Sequence, residues 1–172
     1  KTLEPTRSAR EESQFVTRRQ HLYKLEDRWI HSDVALFDLY VERGFVETSA
    51  KISNEWLKLA MQHVVGDFCS DMVRDWNCSI KDVYTERILK VLERLAQNYV
   101  RLQEFEKVIR WAEKIIALDR GHEEGYRLLI LANYYLGNRR EAIKQYERCV
   151  NVLEEQFQIQ PMESTEAVYE LV

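Results

Sequence analysis

Glycine and proline are both scarce, five and two in 172 residues. That is too few for the many turns of a β-sandwich or barrel, and it favours long helices. Cysteine is scarce too, and odd in number. Cys69, Cys78 and Cys149 do not make a disulfide framework, and with His63 they lack zinc-ligand spacing. Reduced thiols in a cytoplasm fit that pattern. No apolar run approaches the length of a membrane-spanning helix, and no signal-peptide pattern is present. Positive charge is not in excess either. Lys and Arg total 25 against 29 Asp and Glu, a net charge of −4, so the chain as a whole lacks the cationic surface that duplex DNA binding rests on. The first residue is Lys1 rather than Met, which reads as a piece of a longer protein.

A catalytic constellation is missing as well. Five glycines supply no phosphate-cradling loop. His31, Ser32 and Asp33 are triad residue types, but triad members meet across a fold and not along a backbone, so this run reads as a helix cap. The expectation is therefore no catalytic residue, no cofactor, no metal, no small-molecule substrate and no membrane contact. A helical enzyme would need a polar cluster with shifted pKa values in a pocket.

What is present is helical text with one exception. Residues 1–32 open with Pro5 and a polar stretch, followed by two short strand-like runs, Phe15–Val16 and Leu22–Leu25, joined by residues 17–20. From Ser32 onward the pattern is helical. One helix carries Leu36, Phe37, Tyr40 and Val41, with Gly44 near its end. A second begins near Ser49 or Ser53, carries Leu57, Ala60, Met61 and Val64 at helical spacing, and stops at Gly66. Residues 66–79 read as a connection. A long helix follows over roughly 80–102, then helices near 104–118, 122–136, 139–157 and 163–171. The short links make neighbouring helices antiparallel.

The strongest signal is self-similarity at a spacing of 34 residues. Leu95 matches Leu129, Val108 matches Ala142, Ala112 matches Tyr146, Ile115 matches Cys149, and Leu118 matches Val152. The second of each helix pair, residues 106–120 and 140–154, resembles the second helix of a tetratricopeptide repeat. The reading is all-α: a tetratricopeptide-like right-handed stack of antiparallel helix pairs, with a short N-terminal β-hairpin. Neither pair can bury its apolar face alone, so neighbours must stack. Val108 and Ala142 are the small residues at the close approach. Tyr99, Phe105 and Tyr126 are the large packing groups, and Gly137 is the turn residue with freedom for positive φ. Gln103 replaces the expected turn glycine of the first unit, Arg120 an expected proline, and Asn133 an expected aromatic.

Further residues resemble the bacterial transcriptional activator domain in order and spacing. They are Leu118–Asp119, Glu123, Tyr126–Leu129, Leu136–Arg139, Glu141–Ala142, Gln145–Arg148, Leu153, Pro161, Thr165 and Tyr169. Earlier landmarks are Asp33–Val34, Phe37, Gly66–Phe68 and Trp76. Gln158 departs from that family's usual glycine. The resemblance covers about 30–172. It implies a regulatory protein-interaction module of a DNA-binding transcriptional activator, acting through oligomerisation or contact with RNA polymerase. It also implies an upstream winged helix-turn-helix of which residues 1–28 are the terminal wing hairpin, leaving 29–172 as the activator domain.

The same resemblance assigns roles. As a wing, the hairpin would place Arg18 and Arg19, with Arg7 and Arg10 nearby, against DNA phosphates, which position without reading sequence. In tetratricopeptide arrays the first helix of each pair lines a concave face. Here that implies Lys90, Glu93, Gln97 and Val100 in the first unit, and Glu124, Arg127, Leu131 and Tyr134 in the second. The alternative is a general tetratricopeptide adaptor with no DNA-binding domain. Cys149, at a small-residue position of the repeat, is expected to be buried.

Overall fold

The computed structural model describes residues 4–6, 8, 11–26, 32–66 and 75–172, with side chains from residue 79 onward in the last span. Arg7, Arg10, Trp29, His31, Asp67, Phe68, Cys69 and the side chains of Trp76 and Cys78 lie outside the described residues. Among those described, a two-stranded hairpin, β1 (Val16–Arg19) and β2 (Leu22–Leu25), precedes seven helices. These are α1 (Asp33–Val46), α2 (Ala50–Gln62), α3 (Asp75–Arg101), α4 (Phe105–Leu118), α5 (Glu123–Tyr135), α6 (Arg139–Phe157) and α7 (Glu163–Tyr169).

The hairpin is antiparallel, with Val16 opposite Leu25 and Arg19 opposite Leu22. Thr17, Arg18 and Arg19 therefore belong to the strand and not to the connection, and the turn is Gln20–His21 alone. Gln20 takes the positive φ of 57° that Gly or Asn usually supplies. Its carbonyl accepts from Arg18 Nε at 3.0 Å.

Two helix limits differ from the sequence expectation. α2 ends at Gln62, ahead of Gly66, because the His63 and Val64 amides already turn back to the Ala60 and Met61 carbonyls at 3.0 and 3.3 Å. α3 starts at Asp75, so residues 75–79 are helix and not connection. No Gly or Pro interrupts the run, and an acid suits the first turn. α1 begins as expected, with Ser32 Oγ accepting from the Ala35 amide at 3.0 Å.

Each helix packs on the next from α1 to α6, α3 also touches α5, and α7 returns to α5 and α6. The two apolar clusters share α3. One side of it, Val91 and Leu95, joins Phe37, Val41, Leu57 and Ala60. The other, Leu92, Ala96 and Tyr99, joins Val108, Ala112, Ile115, Tyr126, Leu129, Cys149 and Leu153. Trp111, partly buried, packs against both. A buried polar knot sits between the first pair and α3. Asn98 Nδ2 donates to Ser53 Oγ and Asn54 Oδ1 at 2.9 and 3.0 Å, and Ser53 Oγ donates to the Gly44 carbonyl at 2.7 Å.

The 34-residue repeat extends to the backbone hydrogen bonds. The Gln103 and Gly137 amides bond to the Val100 and Tyr134 carbonyls, both at 3.0 Å. The Glu104 and Asn138 amides bond to Tyr99 and Asn133 at 3.0 and 2.8 Å. This is a Schellman closure repeated at one spacing, with φ of 57° at Gln103 and 76° at Gly137.

Candidate functional site

The residues expected on a concave face lie on α3 and α5. Most of the polar ones are bonded to each other. Lys90 is exposed and pairs with Glu86 at 2.6 Å. Glu93 holds His122 Nε2, and Asp119 lies 3.6 Å from the other ring nitrogen. Gln97 Nε2 donates to Glu124 Oε1 at 3.1 Å, and Glu124 Oε2 accepts from Arg127 Nε at 2.8 Å. Arg127 Nη1 then reaches α7, donating to Ser164 Oγ and Thr165 Oγ1, both at 3.0 Å. The result is one hydrogen-bonded chain across α3, α5 and α7. Of the remaining members, Val100 is partly buried against the core of the stack, Leu131 is half-buried, and Tyr134 meets the Tyr135 ring edge-on. Tyr134 is 42% exposed.

Two residues matter more than their sequence setting suggests. Glu123 reads as an ordinary first-turn acid, yet it is only 7% exposed. It accepts from the Met162 amide at 2.9 Å and from Thr165 Oγ1 at 2.6 Å, and so fastens α7. The signal available in the sequence was the Met162–Thr165 stretch, which looks like a cap whose acceptor comes from elsewhere. His122, at the N-cap of α5, bridges two repeats. Its hydrogen bond to Glu93 holds the imidazole above its usual pKa, against the opposing effect of partial burial.

Cys149 is fully buried, and burial pushes its thiol up to about 12. Arg18 and Arg19 are exposed on β1, and the Arg18 guanidinium lies 5.7 Å over the Tyr23 ring. Between α1 and α2, Tyr40 stacks with both Trp56 and His63, and Arg43 lies 4.9 Å over Trp56. The neighbouring depression of about 450 Å³, lined by Glu42, Arg43, Val46, Glu47, Thr48 and Trp56, is shallow and open. Among the described residues no group of three or more His, Cys, Asp or Glu is placed to hold a metal, and no helix is long and apolar enough to cross a membrane.

The profile of the bacterial transcriptional activator domain matches residues 32–172. The chain belongs to that family. The domain is also similar in structure to Mycobacterium tuberculosis EmbR, a protein solved in complex with a low-affinity phosphopeptide. The TM-score is 0.78 at 20% identity, over 91% of this chain and 42% of EmbR. The present chain thus spans less than half the length of that neighbour. A second likeness is to the C-terminal tetratricopeptide-containing domain of a Plasmodium falciparum protein described as FK506-binding. There the TM-score is 0.58 at 17% identity, over 83% of this chain and 91% of that one. At these identities both likenesses speak to the fold: a tetratricopeptide-like helical stack. No curated protein matches the chain in sequence.

Proposed function

We propose that the domain is the protein-binding, regulatory part of a DNA-binding transcriptional activator, and that its concave face receives the partner. Family membership supports the first half of this reading. Tyr134 carries the second. It stands exposed, three residues from Leu131 on the same helix, while Lys90, Glu93, Gln97, Glu124 and Arg127 already have polar partners. An exposed aromatic with apolar neighbours is a favoured interface anchor. The partner is RNA polymerase or a second copy of the protein, in the cytoplasm. Residues 1–28 are the wing end of an upstream winged helix and 29–172 the interaction module. DNA is reached through the former, with Arg7, Arg10, Arg18 and Arg19 near phosphates. A general tetratricopeptide adaptor is the weaker reading, since a pure solenoid has no use for the hairpin ahead of α1.

The test measures binding to immobilised bacterial RNA polymerase and self-association by sedimentation, for the wild type, Tyr134→Ala, and Lys114→Ala on α4 outside the concave face. Loss of one of these associations in Tyr134→Ala alone supports the reading. Equal behaviour of all three chains overturns it. For the hairpin, changing Arg18 and Arg19 to Ala in the full-length protein is expected to lower the salt dependence of DNA affinity, by about one unit of slope for each phosphate no longer neutralised. An unchanged slope removes the phosphate role.

A further inference from the structure

Arginines recur on α3 at a spacing of seven residues: Arg87, Arg94 and Arg101. Seven residues are two helical turns, so the three share one side of the helix, on the α1 flank of the stripe formed by Glu93, Gln97 and Val100. Arg87 is accounted for by Asp38 of α1, 3.0 Å away. The other two have no carboxylate partner among the described residues. Arg94 is half-buried, its Nε has no hydrogen-bond partner, and its guanidinium lies 5.9 Å over the half-exposed ring of Phe45. Arg101 is exposed in the last turn of α3.

Two acids close in sequence to these groups are already engaged. Glu104 holds Lys107, and Glu47 accepts from the Ser49 amide at 2.9 Å. In a chain of net charge −4, two arginines without a carboxylate partner among the described residues run against the overall balance. An imperfectly hydrogen-bonded, half-buried guanidinium gains most from a carboxylate brought by a ligand. Val100 belongs to that stripe, and α5, which touches α3, carries Leu131 and the exposed Tyr134.

We infer that the turn-side half of the concave face takes an acidic peptide segment bearing an apolar side chain. Its carboxylates meet Arg94 and Arg101, and its apolar group meets Val100, Leu131 and Tyr134. The inference rests on the concave-face reading above and names the chemistry of the partner. Arg94 and Arg101 are about 10 Å apart along the helix axis. A peptide in the polyproline II conformation, with three residues per turn and about 3.1 Å rise, matches that span with carboxylates three residues apart on one face.

The probe is a fluorescein-labelled peptide, Gly-Ser-Asp-Leu-Phe-Asp-Ser-Gly, titrated with the 172-residue chain and read by anisotropy. Companion peptides carry Asn or Lys in place of Asp. The acidic peptide is expected to bind, more weakly as salt rises. Arg94→Gln and Arg101→Gln should each weaken it about tenfold. Arg94→Lys should retain part of the binding, and Arg110→Gln on α4 should change nothing. Thermal melts of each variant separate lost binding from lost folding. If the Asn or Lys peptide binds equally well and Tyr134→Ala abolishes that binding, the acidic partner is wrong and the concave face stands. If a bound peptide is indifferent to Tyr134→Ala and to both arginine variants, the concave-face reading fails with it. Binding of none of the three overturns the inference.

Discussion

Three glutamines, Gln20, Gln103 and Gln158, hold φ near 57° in the left-handed region. Any side chain with a Cβ is disfavoured there relative to glycine. Gln103 and Gln158 stand where the repeat and the family pattern want glycine, so the conformation persisted although the residue changed. Gln103→Gly is expected to stabilise the domain by about 0.5–1 kcal/mol, and Gly137→Ala, at the matching turn, to destabilise it by about 1 kcal/mol. Urea denaturation of both variants checks the opposite signs. His122 gives a pH-dependent term at the same scale. Its folded pKa is raised above the usual 6.5, first by the Glu93 hydrogen bond. Its contribution is therefore fully present below pH 6.5 and is lost as pH rises through the folded pKa. The melting-temperature gap between the wild type and His122→Gln should be widest in mild acid and close on the alkaline side. A gap independent of pH would exclude a charged His122–Glu93 bridge.

At the scale of elements, α7 is the one whose place depends most on single side chains. It is seven residues long, too short to be a stable helix alone. Glu123 and Arg127 of α5 fasten its first turn, and Tyr169 stacks on Tyr146 of α6 at 3.9 Å between ring centroids. Thr165→Val keeps the shape and removes the hydroxyl that Glu123 and Arg127 share. Leaving the buried Glu123 carboxylate short of a donor is expected to cost about 1–3 kcal/mol. Hydrogen exchange should then accelerate in α7 before it does in α3 or α4, and unchanged protection of α7 would count against this fastening. Gly44 shows the converse, a residue fixed by lack of space. A Cβ there would lie 2.5 Å from Leu57 Cδ2, and Leu57 is fully buried.

For the whole molecule, α3 binds the stack into one body, because its two sides belong to different apolar clusters. Leu95→Ala is expected to cost about 2–5 kcal/mol, and to lower the stability of both flanking pairs in one transition. Tryptophan fluorescence and helical circular dichroism should trace the same denaturation curve. Two separated curves would mean that the first pair melts independently. The helix pairs, their antiparallel order and their spacing of 34 residues were legible in the sequence, because amphipathic periodicity and turn geometry are local properties that recur with the repeat. The hairpin was legible too, but its turn was placed too early, since Thr17, Arg18 and Arg19 pair through backbone groups that every residue possesses. The start of α3 at Asp75 escaped for a similar reason: nothing in residues 75–79 breaks a helix, and nothing local demands one. Only the tertiary structure decided that Glu123 is a buried anchor, that Gln97, Glu124, Arg127 and Ser164 form one chain, and that Arg94 and Arg101 meet no acid among the described residues. Those outcomes depend on which side chains meet across three helices. A distance between elements is written in no single stretch of sequence.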